Sequence, residues 1–315
     1  KVLAVLAVIA VWPVIAEGQT PPGYRYVRIT NGPEFEYWPR INNKGDVVFT
    51  RRPGFSEHTE DIYLYSKGKL TRLTFDDDIQ DTFPDINDDG VIVWSRGIGP
   101  EGPYGPTLEV MMRTPDGNVT RLTDNSNSEH LPRINNPGHI VWSAEMFDYC
   151  GSTDVFYYDG ASVQQLTTDS EHCNGVWNQG AAINDRGQIV YTRYDFDPDP
   201  WVSSIVLYKN DVYQRISPDE TFEPQHPSIN NRGAVVWTYN APDMDGGLQA
   251  WENDVVTDLT HWGSSPEIGD RGQIVFTRWD DNRRVLDLWS FHHGVFTLLV
   301  QVDEDLDVPD INRRG

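Results

Sequence analysis

One phrase recurs along this chain and restricts its fold more than any other feature. "PDINDDGVIVW" at 84 returns as "PRINNKGDVVF" at 39, "PRINNPGHIVW" at 132, "AAINDRGQIVY" at 181, "PSINNRGAVVW" at 227 and "PEIGDRGQIVF" at 266, and "PDINRRG" at 309 begins a seventh copy. Aligned on its isoleucine, the phrase stands at Ile41, Ile86, Ile134, Ile183, Ile229, Ile268 and Ile311, with spacings of 45, 48, 49, 46, 39 and 43 residues. Periods of this size belong to propellers and solenoids. A glycine follows four positions later in every copy, from Gly45 to Gly315. That spacing suits a tight turn ending in a left-handed residue, where glycine has no Cβ to clash.

The rest of each repeat reads as strands. After the glycine come β-branched residues, then an aromatic eight positions past the isoleucine: Phe49, Trp94, Trp142, Tyr191, Trp237 and Phe276. Consecutive apolar positions predict a strand covered on both faces, so these aromatics are expected in the core and not as a sugar-stacking ladder. A third strand follows ("DIYLY" at 61, "LEVMM" at 108), then a turn such as "SKGK" or "PDGN", then a polar fourth strand ("LTRLT" at 70, "VTRLT" at 119). Four antiparallel strands per repeat make a propeller blade. The segment "YRYVRIT" at 24–30 resembles a fourth strand with no blade of its own, and "PDIN" at 309–312 a first strand with nothing after it. The expected fold is therefore an all-β propeller of four-stranded antiparallel blades, with six complete blades and the terminal strands of a seventh. Gly269 in place of asparagine and Ala181 in place of proline predict looser inner turns in repeats 6 and 4.

The phrase P-x-I-N-x-x-G-x-V-V-W together with R-L-T in the outer strand resembles the TolB-type (WD-like) propeller repeat, over residues 25–315. Propellers of that type serve as binding scaffolds, peptidase-associated domains and a few polysaccharide lyases. The resemblance thus implies a fold and leaves the function open.

Residues 1–16, "KVLAVLAVIAVWPVIA", read as a signal peptide ending at Gly18, which leaves 19–315 as one propeller domain, incomplete at its C-terminus, and predicts a secreted or periplasmic protein. Its net charge of −23 opposes binding to nucleic acid or anionic membranes, and no other segment could span a bilayer. Cys150 and Cys173 are an even pair in an exported chain and predict a disulfide between two loops on one face of repeat 3.

The sequence holds no nucleophile elbow, phosphate loop or cysteine-pair metal ribbon. His130, His172 and His226 precede first strands and are candidate metal ligands at the channel mouth. The inter-repeat loops carry Asp77, Asp78, Asp81, Asp124, Glu129, Asp169, Glu171, Asp219, Glu220, Glu223 and Asp305, expected as a partial acidic ring that binds calcium or a basic partner, with Trp262 as its apolar flank. The favoured function is a binding scaffold presenting this acidic face to a protein, polysaccharide or cation partner. The alternatives are a metal-dependent, lyase-like carbohydrate-active enzyme using the histidines, and a structural surface or matrix component.

Overall fold

The computed structural model describes residues 21, 24, 27–31, 34–52, 60–76, 79–102, 105–146, 152–168, 175–197, 201–219, 222–241, 244–280, 285–301 and 308–315. Strands and turns account for all regular structure among them. The first strands are Phe35–Ile41, Asp81–Ile86, Ser128–Ile134, Val176–Ile183, Gln225–Ile229 and Ser264–Ile268, each ending on the isoleucine of the repeated phrase. Each pairs antiparallel with the strand after its turn, and second, third and fourth strands follow in chain order.

Strand pairing corrects the expected blade count. Repeats 1, 2, 5 and 6 form four separate four-stranded blades, whereas repeats 3 and 4 form one eight-stranded sheet. The merger rests on a single parallel pair, Thr153 with Trp177, where the third strand of repeat 3 meets the first strand of repeat 4.

The turn chemistry explains the invariant letters. Asn42 closes its turn by accepting the N–H of Gly45 on its carbonyl at 3.1 Å, while its Oδ1 accepts the N–H groups of Lys44 and Asp46 at 2.9 and 3.0 Å. Gly45 has φ of 82°, and its counterparts in the other copies are also left-handed. The asparagine Nδ2 then donates to the next repeat: Asn42 to the Asn87 carbonyl, Asn87 to Asn135, Asn135 to Asn184, Asn184 to Asn230, and Asn230 to Gly269, at 2.9–3.2 Å. Gly269 has no side chain for the next step. There the Asp270 N–H donates to the Arg313 carbonyl at 2.9 Å, and the Arg314 N–H returns to Asn43 Oδ1 at 3.1 Å. Seven turns thus close a ring. The main-chain bond of the turn is intact in repeats 4 and 6, at 3.1 Å for Gly187 to Asn184 and 3.0 Å for Gly272 to Gly269, so the expected loosening is not in the turns themselves.

The R-L-T motif has its own function in packing. Arg72 Nε donates to the Thr74 carbonyl at 2.8 Å, and Thr74 Oγ1 accepts the Ile62 N–H at 3.0 Å while donating to Asp61 at 3.0 Å. The same arginine bond recurs at Arg28 to Thr30, at 2.9 Å, so residues 28–30 follow the fourth-strand pattern. Between neighbouring repeats lies the core. Val48 and Ile62 of repeat 1 pack with Ile86, Ile92, Trp94 and Met111 of repeat 2, and this sandwich recurs around the ring. Phe49, Trp94, Trp142, Tyr191, Trp237 and Phe276 are all buried, as their place among β-branched neighbours predicts.

Candidate binding site in the central channel

The six first strands and residues 309–312 surround a channel, and the residue just before each isoleucine faces into it. These residues are Arg40, Asp85, Arg133, Ala182, Ser228, Glu267 and Asp310. Three of them cap the next repeat: Asp85 accepts the Ile134 N–H at 2.8 Å, Asp310 accepts Ile41 at 2.7 Å, and Ser228 accepts Ile268 at 3.3 Å. Glu267 bridges the channel. Its Oε1 lies 3.1 Å from Arg40 Nη1 and 2.7 Å from Arg133 Nη2, and its Oε2 accepts the Ser228 hydroxyl at 2.6 Å. Burial pushes Asp85 up to about 6, against the pull of Arg40, and raises Asp310 well above the usual carboxylate range. These bonds form a waist across the channel.

Beyond the waist, on the turn face, lies a polar cavity of about 90 Å³. On this face Asn43, Asp88, Asn136, Asp185, Asn231 and Asp270 alternate from repeat to repeat, the first three lining the cavity; Asn43 donates to Asp88, and Asn136 and Asn231 donate to the carboxylates on either side, at 2.8–3.1 Å. Strict alternation of donor and acceptor cannot close over seven positions. The seventh is Arg313, whose Nη1 reaches across to Asp185 Oδ2 at 2.7 Å.

On the opposite face the channel opens into a larger cavity of about 180 Å³. Every first strand carries a bulge three residues before its isoleucine, visible as a register shift against the second strand. The bulge residues are Trp38, Phe83, Leu131, Gly180, His226 and Ser265, with φ of 54°, 55°, 54°, 67°, 53° and 51°. A proline follows all but Gly180. All six line the cavity. Repeats 1–3 supply a bulky apolar wall, with Trp38 edge-on to Phe83 at 5.2 Å, and repeats 4–6 a small or polar one. Arg40, Arg133 and Glu267 form the floor.

Similar folds occur among solved structures. TolB from Acinetobacter baumannii is 13% identical with a TM-score of 0.53, over 90% of this chain and 58% of that one. The acylaminoacyl peptidase of Pyrococcus horikoshii is 15% identical with a TM-score of 0.62, over 84% of this chain and 45% of that one. A chain from a nidogen/laminin complex is 12% identical with a TM-score of 0.53, over 85% and 98%. The fold is a TolB-like β-propeller. No family model and no curated protein matches the sequence. The propeller spans about half the length of the TolB and peptidase chains, and the likeness at these identities is one of fold.

The described members of the expected acidic ring, Asp81, Asp124, Glu129, Asp219 and Glu223, sit in different surroundings. Asp81 and Glu129 lie inside, at 0% and 1% exposure, at the seams between repeats. Asp81 accepts the Trp94 indole N–H at 2.6 Å, and burial pushes it up to about 6; Glu129 accepts Asn125 Nδ2 at 2.7 Å and is pushed up to about 7 by burial, with Glu109 adding to the rise. Asp124 and Asp219 are exposed and paired with Arg121 and Arg215 at 2.6 Å. Glu223 is left-handed and accepts Asn240 Nδ2 at 2.7 Å. Trp262 packs into an aromatic cluster with Phe276, Trp289 and Phe296, under the Arg278 guanidinium.

His130 and His226 occupy different repeat positions. His130 precedes its bulge and lies 3.9 Å from Glu145, whereas His226 is itself a bulge residue on the mouth; burial lowers both. Among the described residues no group of three or more histidines, cysteines and carboxylates could hold a metal ion. No helix among them is long and apolar enough to cross a membrane. Asp77, Asp78, Asp169, Glu171, His172, Glu220, Asp305, Cys150, Cys173 and the leader 1–18 lie outside the described residues. The channel residues are the ones missed by sequence reasoning. Their signal was the varying letter inside an otherwise constant phrase, "PR", "PD", "PS" and "PE" before the isoleucine.

Proposed function

We propose that the chain is an exported binding scaffold whose channel mouth receives an apolar or aromatic side chain of a protein partner. The observation that carries this reading is the ring of bulges: five non-glycine residues, Trp38, Phe83, Leu131, His226 and Ser265, are held left-handed around one opening of about 180 Å³. Left-handed backbone at non-glycine residues costs free energy and concentrates at ligand clamps. An apolar wall beside a charged floor suits an apolar group with a polar end. The nidogen/laminin chain, of similar fold, comes from a protein complex. In this reading residues 1–18 are the export leader, and 19–315 are one domain in which the eight-stranded sheet counts as two blades. A single bridging pair joins its halves, giving six four-stranded blades and a seventh position occupied by residues 310–315.

Peptide selection by phage display against the whole chain tests the proposal. Selected peptides should carry an apolar or aromatic residue in common and bind Trp38→Ala and Leu131→Asp at least tenfold more weakly than the parent. Equal binding to both variants, each shown to melt normally, would move the working surface elsewhere.

A further inference from the structure

Four of the polar channel residues are committed to holding the fold together. Asp85, Ser228 and Asp310 each accept a main-chain N–H of the next repeat, and both oxygens of Glu267 are engaged. Arg133 is different. A guanidinium carries five N–H groups, and here Nη2 gives one to Glu267 Oε1 at 2.7 Å while Nε and Nη1 have no partner among the described residues. The side chain is 17% exposed and lines both cavities. An unfilled fork of donors therefore stands at the floor of the mouth.

Charge points the same way. The charged side chains lining the mouth are Arg40, Arg133 and Glu267, since Asp85 and Asp310 line the turn-face cavity and burial keeps His226 uncharged at neutral pH. Two guanidinium groups against one carboxylate leave a positive floor in a chain of net charge −23. A planar fork of donors is matched by a carboxylate, through two parallel bonds.

The wall decides what carries that carboxylate. Leu131 stands two residues before Arg133 on the strand Ser128–Ile134, and Trp38 and Phe83 continue the apolar surface. An aspartate or glutamate within a chain would bring peptide groups on both of its sides into the mouth, and those lying on the apolar wall would lose water without gaining a bond. A C-terminal residue brings one chain only, and it holds a carboxylate and an apolar side chain on the same Cα. We propose, resting on the reading of the mouth as a site for an apolar side chain, that its occupant is the apolar C-terminal residue of a partner protein, with the terminal carboxylate on Arg133.

The test uses the whole chain and fluorescein-labelled glycine-serine peptides ending in leucine, phenylalanine or tryptophan, each as the free acid and as the amide, at physiological salt. At least one acid should bind tenfold or more tightly than its amide, and this preference should vanish in Arg133→Gln and return in part in Arg133→Lys. The comparison of acid with amide is made on the parent chain, so it does not depend on the variants folding. Equal binding of acid and amide, both weakened by Trp38→Ala, would overturn the C-terminal assignment and leave the mouth as an apolar site. An amidated peptide with an internal aspartate beside leucine would overturn it too, if it bound as tightly as the best acid. So would the absence of binding by every peptide; were the phage selection then to yield peptides that depend on Trp38, the reading of the mouth would stand without its C-terminal occupant.

Discussion

The same hairpin is finished in opposite ways at the two ends of the channel. On the turn face five asparagines, Asn42, Asn87, Asn135, Asn184 and Asn230, do the same thing in turn, each closing its own turn and bonding the next repeat, and the Asn/Asp rim satisfies itself from Asn43 to Asp270. On the mouth face the backbone repeats its bulge while the side chain changes every time, from Trp38 to Ser265. A uniform residue under a uniform bond is there for stability. A varied residue on a strained backbone contributes little to stability, so its variety points to recognition.

The sharpest way to break this comparison is at the turn face. Asn184 is fully buried, accepts the Arg186 and Gln188 N–H groups at 3.0 Å, and donates to the Asn230 carbonyl and Gln188 Oε1 at 2.9 Å. Asn184→Ala removes the partner of two N–H groups and of Gln188 Oε1, and leaves the Asn230 carbonyl only the Gly233 N–H at 3.0 Å, which should cost about 3–5 kcal/mol and lower the melting temperature by about 10 °C. A fall of less than about 2 °C would mean that water replaces the amide and that the ring is not what holds the repeats together.

A smaller effect is expected from pH, through the seams and the waist. Burial raises Glu36 and Glu129 from 4.5 to about 7, and Asp81 and Asp85 from 3.8 to about 6. Opposing charges act on them: Arg51 on Glu36, Arg96 on Asp81 and Arg40 on Asp85, while Glu109 reinforces the rise at Glu129. Between about pH 4 and 7 the folded chain holds protons that the unfolded chain has released, so stability is greatest below this window and is lost as pH rises through it. Melting should fall by at least about 5 °C from pH 5 to pH 8, since a single group raised to about 7 already accounts for a loss of about 2–3 kcal/mol. A flat or rising profile would place these carboxylates in better-solvated sites, and Glu129→Gln should flatten the profile in part.

How far the sequence could be read follows the same division. The turn face was legible because Asn-x-x-Gly is local chemistry, and the glycine and asparagine letters name the φ angle and the bonds they make. The core aromatics were legible because two-sided burial leaves consecutive apolar letters. Blade separation was not, since it turns on one pair, Thr153 with Trp177, that no letter announces. Asp81 and Glu129 read as loop acids because they open their strands; only the packing of neighbouring sheets reveals that the strand begins inside a seam. The bulges left a trace in the residue before each proline, but that dipeptide reads as an extended or turn segment and does not tell which way the side chain points.

The finest test of the comparison is at Ser265. It shares the left-handed backbone of the mouth, at φ 51°, yet brings the smallest side chain of the five non-glycine bulges. Glycine adopts this region without the Cβ clash, and repeat 4 already carries Gly180 at the same place, at φ 67°. Ser265→Gly should therefore stabilise the fold by about 1 kcal/mol, raising the melting temperature by about 2–4 °C, because strain is relieved with little buried surface lost. Leu131→Gly should gain less, or lose, since its side chain lines the apolar wall. If Ser265→Gly instead destabilised the chain, the backbone there would be held by a bond of the serine itself. The mouth would then be built for stability like the turn face, and the argument from strain to recognition would fail.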